Sequence, residues 1–355
     1  MKSNLTNKII HLTSVHPRYD IRIFYKMCIS LAKHGYDVVL IVADGKGDEN
    51  TKRVKIKDVG ITKGGRLSRM TKTVSFIFEK AKYLDGDIYH LHDPELIPIG
   101  LKLKKLGKKV IFDAHEDIPN QMLSKAYLNK PLRYILSKIF KYYEKWTLPK
   151  FNYLITATPF IRDKLLKINP NTIDINNFPK SCVSNRIFDR KKNEIVYVGG
   201  ISKIRGIEEI ITALGYTNNI RLNLVGCFND EAFEKKTKKN SQWSKVNELG
   251  FLKRESVDKV FACSKIAIVT FLPVPNHINS QPNKLFEYMN AGLPIIASNF
   301  QLWREIVEIN NCGICVDPEN PKAIGDAIQY LCDNPYQAEK MGKNGREAIE
   351  KKYNW

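Results

Sequence analysis

Short, wholly apolar runs alternate with helix-spaced apolar residues along almost the whole chain. Residues 8–13, 37–43, 87–91, 109–112, 151–156 and 172–176 read as buried strands, rich in Val, Ile and Leu and bounded by polar residues. Between them, residues 22–33, residues 67–83, a segment opening at Pro94, the basic stretch up to Trp146 and a segment from Thr158 read as helices. The piece between residues 43 and 67 reads as a polar, glycine-rich connection. Periodicity lapses over residues 177–193 while charge rises, which marks a linker. Alternation then restarts, with strands at 194–198, 220–225, 246–249, 266–270 and 293–297 and a helix over 207–214. Repeated β-α units imply parallel, doubly wound sheets with right-handed crossovers. The expected fold is therefore α/β, with domains 1–180 and 181–355 facing across a cleft lined by strand-end loops.

The densest stretch is NSQPNKLFEYMNAGLPIIAS, residues 279–298. Pro282 suits a first helical turn, where its missing N–H costs nothing. Leu285 and Met289 share one face, Gly292 closes the helix, and Leu293 begins an apolar strand. A helix start directs free N–H groups and partial positive charge outward, which favours a phosphate. Lys284 and Glu287 stand three apart on that first turn. One cation and one carboxylate beside an anion site match a nucleoside diphosphate and its ribose hydroxyls. The same pair also fits an ordinary helix surface.

Composition narrows the class. A chain of 355 residues exceeds one typical core, and 43% hydrophobic content fits a globular protein. No apolar run is long enough to span a bilayer and the first residues lack a signal-peptide core, so a cytoplasmic location is expected. Of seven cysteines, only Cys312 and Cys315 have metal-like spacing, and without a second pair they read as buried thiols at a strand start. The net charge of +20 calls for an anionic partner. Between residues 100 and 150, twelve Lys/Arg stand against four Asp/Glu. There, residues 124–146 interleave lysines with Tyr127, Leu128, Tyr134, Ile135, Ile139, Phe140, Tyr142, Tyr143 and Trp146. That basic, aromatic amphipathic pattern suits an anionic membrane face; a core helix with a solvated lysine side is the competing reading. No nucleic-acid module accompanies the charge, so nucleic acid is set aside as a partner.

Candidate chemistry gathers at strand ends. The loop SVHPRYDIR presents His16, Arg18, Asp20 and Arg22 after the first strand. HLHDPE puts His90, His92 and Asp93 after the third; alternate strand residues face opposite sides, so no metal site is expected. FDAHED brings His115 and Glu116 to the same layer, where a histidine can act as acid, base or hydrogen-bond donor. Asp85-Gly-Asp87 precedes its strand, on the opposite edge, and is set aside as a metal motif. The loop GGISKIRG, residues 199–206, follows a strand and opens a helix. Gly199 and Gly200 allow close backbone approach, and Lys203 and Arg205 can neutralise phosphate. It is neither a dinucleotide fingerprint nor a Walker loop.

Together SVHPRYDIRIFYK, DIYHLHDPELIPIG, VIFDAHED, VYVGGISKIRGIEE and NSQPNKLFEYMNAGLPIIAS closely resemble retaining, nucleotide-sugar-dependent glycosyltransferases of family 4, in particular the bacterial group that builds O-antigen, capsule and other surface polysaccharides. The resemblance implies a GT-B fold of two Rossmann-like domains, an N-terminal acceptor domain and a C-terminal donor domain, with no metal or other cofactor. By position, Arg205 and Lys284 match the residues on the donor diphosphate, with Gly199 and Gly200 in the same loop. Glu287 matches the second glutamate of the E-x7-E motif, an acceptor for ribose hydroxyls. Gly250 and Phe251 correspond to the loop that reads the base. His115 resembles the histidine near the transferred sugar, and His16, Asp20 and His92 fall on the acceptor side.

Three departures bear on mechanism. Asn279 stands where the family's first glutamate is, and an amide cannot act as base or nucleophile. Gly200 replaces the usual arginine. The sequence stops at KKYNW, where relatives continue through a final helix. The implied activity is transfer of a sugar from a UDP- or GDP-sugar to a lipid-linked or saccharide acceptor, by a peripheral enzyme on the inner face of the membrane. A nucleotide-sugar epimerase or hydrolase on the same fold, or a non-catalytic nucleotide-sugar-binding subunit, are the alternatives.

Overall fold

The computed structural model describes residues 7–123, 129–181 and 193–355. The chain divides into two units, Met1–Asn177 and Phe178–Trp355, each built on its own sheet. Residues 182–192 of the expected linker lie outside the described residues.

The first sheet has eight strands: β1 (Lys8–Leu12), β2 (Asp37–Val42), β3 (Glu49–Thr51), β4 (Val54–Asp58), β5 (Ile88–Leu91), β6 (Lys109–Ala114), β7 (Tyr153–Thr156) and β8 (Thr172–Asp174). Their order is β3-β4-β2-β1-β5-β6-β7-β8, parallel throughout except for the β3–β4 hairpin. The chain steps outward from β1 to β2 and returns to β5 on the other side of β1. Loops after β1 and β5 therefore open at the topological switch point, where such sheets bind ligands. On β2, Val38, Leu40 and Val42 pack under residues 23–32, whereas Val39 and Ile41 face helices α1 (Val74–Leu84) and α2 (Ile97–Lys105). Burial on both faces is why this strand is apolar without alternation.

The β3–β4 hairpin lies in the segment expected to be a connection. Its turn is made by Lys52 and Arg53 at φ values of 50° and 64°, a region usually left to Gly or Asn, so no turn signal marks it. The first helix also differs: Ile21–Cys28 winds at π pitch before Ile29–Lys33 continues as α-helix. Asp20 caps it, accepting from the backbone N–H of Arg22 and Ile23 at 2.8 Å each. This turn carries Arg22 inward, where its guanidinium donates to both Asp113 oxygens at 2.9 and 2.8 Å.

Helix α3 (Lys130–Thr147) starts from Asn129, whose side chain accepts from the Leu132 N–H at 3.0 Å. It buries Ser137, Glu144 and Thr147. Leu132, Tyr134, Ile135, Ile139, Tyr142 and Trp146 are exposed, Tyr142 by 71% and Trp146 by 61%. Lys138 lies over the Tyr134 ring and Lys150 over Trp146. Basic and aromatic groups thus share the outer face, which the competing reading of a core helix does not accommodate. Residues 124–128 of that expected segment lie outside the described residues. No described helix is long and apolar enough to cross a membrane.

The second sheet holds β9 (Glu194–Val198), β10 (Arg221–Val225), β11 (Val246–Gly250), β12 (Ile266–Val269), β13 (Ile295–Ser298) and β14 (Gly313–Val316). All are parallel, in the order β11-β10-β9-β12-β13-β14. Its switch point lies between β9 and β12. Against this sheet pack α4 (Ile207–Ala213), α5 (Asn283–Asn290) and α6 (Pro335–Lys351), the last over α5 and the edge strand β14. Cys312 precedes β14 and Cys315 lies on it; burial pushes both thiols up to about 12, so they are inert at neutral pH.

Candidate functional site

Three strand-end loops of the second unit meet through glycine. A Cβ at Gly226 would lie 2.0 Å from the Gly199 carbonyl oxygen, and one at Gly206 would lie 1.9 Å from that of Thr270. Gly199 and Gly206 also have φ values of 135° and 70°, open only to glycine without strain. These contacts bring the loop after β9 against those after β10 and β12.

Two cations stand on the resulting floor. Arg205 places its guanidinium 4.2 Å from the Phe271 ring centroid. Lys284, in the first turn of α5, donates to the Tyr197 hydroxyl at 2.9 Å and lies 4.9 Å from the Phe271 centroid. Tyr197 in turn donates to the Gly200 carbonyl at 2.9 Å. Among the described residues, neither cation has a carboxylate within ion-pair distance. Burial, then the charge of Arg205, holds the Lys284 ammonium well below the ordinary lysine range. Burial likewise lowers Arg205, and burial with the Arg205 charge brings His277 down to about 4, so its imidazole is neutral. Desolvated like charges without a counter-ion are costly alone and favour an anion between them.

The remaining candidates of this unit lie nearby in sequence and differ in setting. Glu287, one turn beyond Lys284, pairs with Arg254 at 3.2 Å. Gly250 ends β11 at a φ of 62°, its carbonyl accepts from the Gly226 N–H at 2.8 Å, and Phe251 beyond it is 80% exposed. Asn279 follows the short helix Pro275–Ile278, half-buried and without a side-chain hydrogen bond among the described residues. Sequence reasoning missed Tyr197, Phe271, His277 and Arg254. A tyrosine and a phenylalanine at apolar strand ends are indistinguishable from core aromatics by spacing.

In the first unit, His16 sits between two carboxylates, 3.6 Å from Asp20 and 3.3 Å from Asp93. Its hydrogen bond to Asp20 raises the imidazole above its ordinary value despite partial burial. Asp93 is fixed by the Thr13 hydroxyl at 2.8 Å and the Ser14 N–H at 2.7 Å. The His115 ring meets His16 edge-on at 5.3 Å, so His16, Asp20 and His115 form one group. His92 does not join them. Placed on the acceptor side by its motif, it is fully buried and bonded to His11 and Asp113. Beside the group, Ser14, Ala43, Ile61, Thr62, Gly64, Gly65, Arg69 and Thr73 line a cavity of about 500 Å³ that the sequence motifs touch only at Ser14.

Residues 184–348 match the family model described as Glycosyl transferases group 1, and residues 22–175 match Glycosyltransferase Family 4. The chain is 23% identical over 376 residues to the capsular polysaccharide biosynthesis glycosyltransferase CapM of Staphylococcus aureus, covering 98% of this chain and 93% of that protein. It is 26% identical over 199 residues to the uncharacterized glycosyltransferase MJ1607 of Methanocaldococcus jannaschii, over 53% of this chain; it spans about half of that relative, 49%. Among solved structures, sucrose-phosphate synthase from Thermosynechococcus elongatus superposes with a TM-score of 0.76 at 17% identity, over 98% of this chain and 95% of that one. Anabaena Alr3699/HepE in complex with UDP and glucose gives 0.71 at 14% identity, over 98% and 96%. At such identities these structures establish the fold alone, and that fold is GT-B. With both family models matched, the chain carries the paired domains of a GT-B glycosyltransferase.

Proposed function

We propose that the chain is a retaining, metal-independent hexosyltransferase of family 4. It would move a sugar from a UDP- or GDP-sugar to a lipid-linked or saccharide acceptor in the assembly of cell-surface polysaccharide, O-antigen or capsule. The observation that carries this reading is the Arg205–Lys284 pair, two desolvated cations on an aromatic floor with no carboxylate among the described residues within ion-pair distance of either. A nucleoside diphosphate supplies the missing charge. Departure of that diphosphate leaves positive charge on the sugar, and the enzyme assists by stabilising the leaving phosphates.

In this reading Gly199 and Gly200 bring the backbone close to the phosphates, and Glu287, steadied by Arg254, takes the ribose hydroxyls. Exposed Phe251, with Gly250, meets the base. Asn279 and His115 are the groups offered to the reacting sugar; with an amide at 279, front-face attack with retention is favoured, the leaving phosphate taking the acceptor proton. His16 and Asp20 serve the acceptor, and no metal enters. The capsule relative CapM and the structural neighbour bound to UDP and glucose support the substrate classes. The exposed basic and aromatic face of α3 supports a peripheral place on the cytoplasmic side of an anionic membrane.

The test is calorimetric binding of UDP and GDP to the parent protein and to Lys284→Ala and Arg205→Ala. Each variant should lose about 10- to 100-fold in affinity, the range for a charge-assisted hydrogen bond. Unchanged affinity in both would sink the assignment.

A further inference from the structure

Three imidazoles meet inside the first unit. His11 on β1 and His90 on β5 are register partners on adjacent parallel strands, so their side chains leave the same face of the sheet. The chain quits β5 after Leu91, and His92 turns its ring back over the other two, against the expectation that His90 and His92 point apart. Ring centroids lie 4.8 Å apart for His11 and His90, 5.2 Å for His11 and His92, and 4.4 Å for His90 and His92. One ring nitrogen from each lies within 4.8 Å of those of the other two. All three are buried.

The neighbours fix how His92 presents itself. Asp113 accepts a hydrogen bond from Arg22 on each of its two oxygens, the arrangement of a carboxylate paired with a guanidinium. An ionised carboxylate only accepts, so His92 Nδ1, 3.2 Å away, carries the proton. Its Nε2 then directs a lone pair into the cluster, 2.9 Å from His11 Nδ1. A carboxylate behind a histidine whose other nitrogen faces a metal is a common outer-shell arrangement. The Nε2 atoms of His11 and His90 are buried and have no hydrogen-bond partner among the described residues. Such orphans in a sheet core call for an occupant.

We propose that His11, His90 and His92 form a buried site for a transition-metal ion of zinc-like preference. His92 brings Nε2 once its short contact with His11 opens, and His11 and His90 bring the nitrogens they leave unpaired. Three imidazole donors suit Zn²⁺, Co²⁺ or Ni²⁺, whereas Mg²⁺ and Ca²⁺ require oxygen ligands that this cluster lacks. Metal–nitrogen bonds of about 2.0–2.1 Å require the three donor nitrogens to close in on a common centre from their observed spacing of up to 4.8 Å. The ion ties β1 to the end of β5 behind Asp93 and His16. It is a structural ion of the first unit, and no step of sugar transfer passes through it. The proposal is independent of the donor-site reading.

The experiment is titration of tag-free, chelator-dialysed protein with Co²⁺. The expected result is one bound equivalent with the visible absorption of tetrahedral nitrogen coordination, displaced by Zn²⁺, and a melting temperature that rises with added Zn²⁺. His90→Gln should abolish the absorption, while His34→Gln, at an exposed histidine, should leave it. Failure of the folded parent to take up Co²⁺ or Zn²⁺ overturns the site, and would fit water at the two nitrogens. Unchanged Co²⁺ spectra in folded His90→Gln would overturn it as well. Should His90→Gln not fold, the parent titration still decides.

Discussion

Lys284 is the residue on which the proposed donor site turns, and its setting makes a pH prediction. Burial and Arg205 lower its pKa in the free protein, whereas a bound diphosphate would raise it again. Binding therefore takes up a proton once pH exceeds the depressed value. Affinity for UDP or GDP should be flat below that value and fall above it, by up to about tenfold per pH unit. Calorimetry in buffers of different ionisation heat should detect the uptake directly. Lys284→Arg, which cannot titrate in this range, should bind without that pH dependence. Equal proton uptake by parent and Lys284→Arg would assign the linkage to another group, with His277 already neutral beside it.

At the scale of elements, α3 buries a carboxyl against the rest of the first unit. Burial pushes Glu144 up to about 7, and its nearest cation, Lys164, is 3.8 Å away. The folded unit keeps a proton that the unfolded chain gives up near 4.5, so stability is lost as pH rises from there through 7. The loss amounts to at most about 3 kcal/mol. Glu144→Gln should then exceed the parent in urea resistance at pH 8 and show no gain at pH 4. Greater parent stability at pH 8 would mean that Lys164 holds the ionised form.

The elements also separate what the sequence discloses from what it hides. Parallel strands such as β2 and β12 are apolar on both faces, so their runs are visible without any knowledge of partners. The β3–β4 hairpin is hidden because its turn is carried by Lys52 and Arg53 instead of Asn or Gly. Gly199, Arg205 and Lys284 announce themselves through glycine, charge and a helix start. Tyr197 and Phe271, which hold the cations, look like any buried aromatic. His90 and His92 mislead for a simpler reason: alternation governs only residues within a strand, and β5 has ended at Leu91.

For the whole molecule, the net charge of +20 has a visible outlet in the outer face of α3. Co-sedimentation with phosphatidylglycerol vesicles should be strong at low salt, weak with phosphatidylcholine, and reduced by high salt. Each lysine near an anionic surface contributes about 1 kcal/mol, so Lys138→Ala, Lys141→Ala and Lys145→Ala together should weaken partitioning roughly a hundredfold. Tyr142→Ser with Trp146→Ser should weaken it further without altering nucleotide binding. Vesicle binding indifferent to all five changes would place the membrane contact elsewhere.

The second unit also closes on itself. Phe178 stacks edge-on against Phe286 of α5 and Tyr353 just after α6, at 4.8 and 5.3 Å, and the Trp355 N–H donates to the Pro179 carbonyl at 3.1 Å. Residues 178–179, where the chain enters this unit, thus lie against residues 353–355. A module whose ends already touch can be excised, permuted or exchanged between proteins as a cassette with little disturbance to its interior. In the proposed reading, with the donor on the second unit and the acceptor on the first, the two preferences can be inherited separately, by recombination between genes, each half arriving with its own core intact.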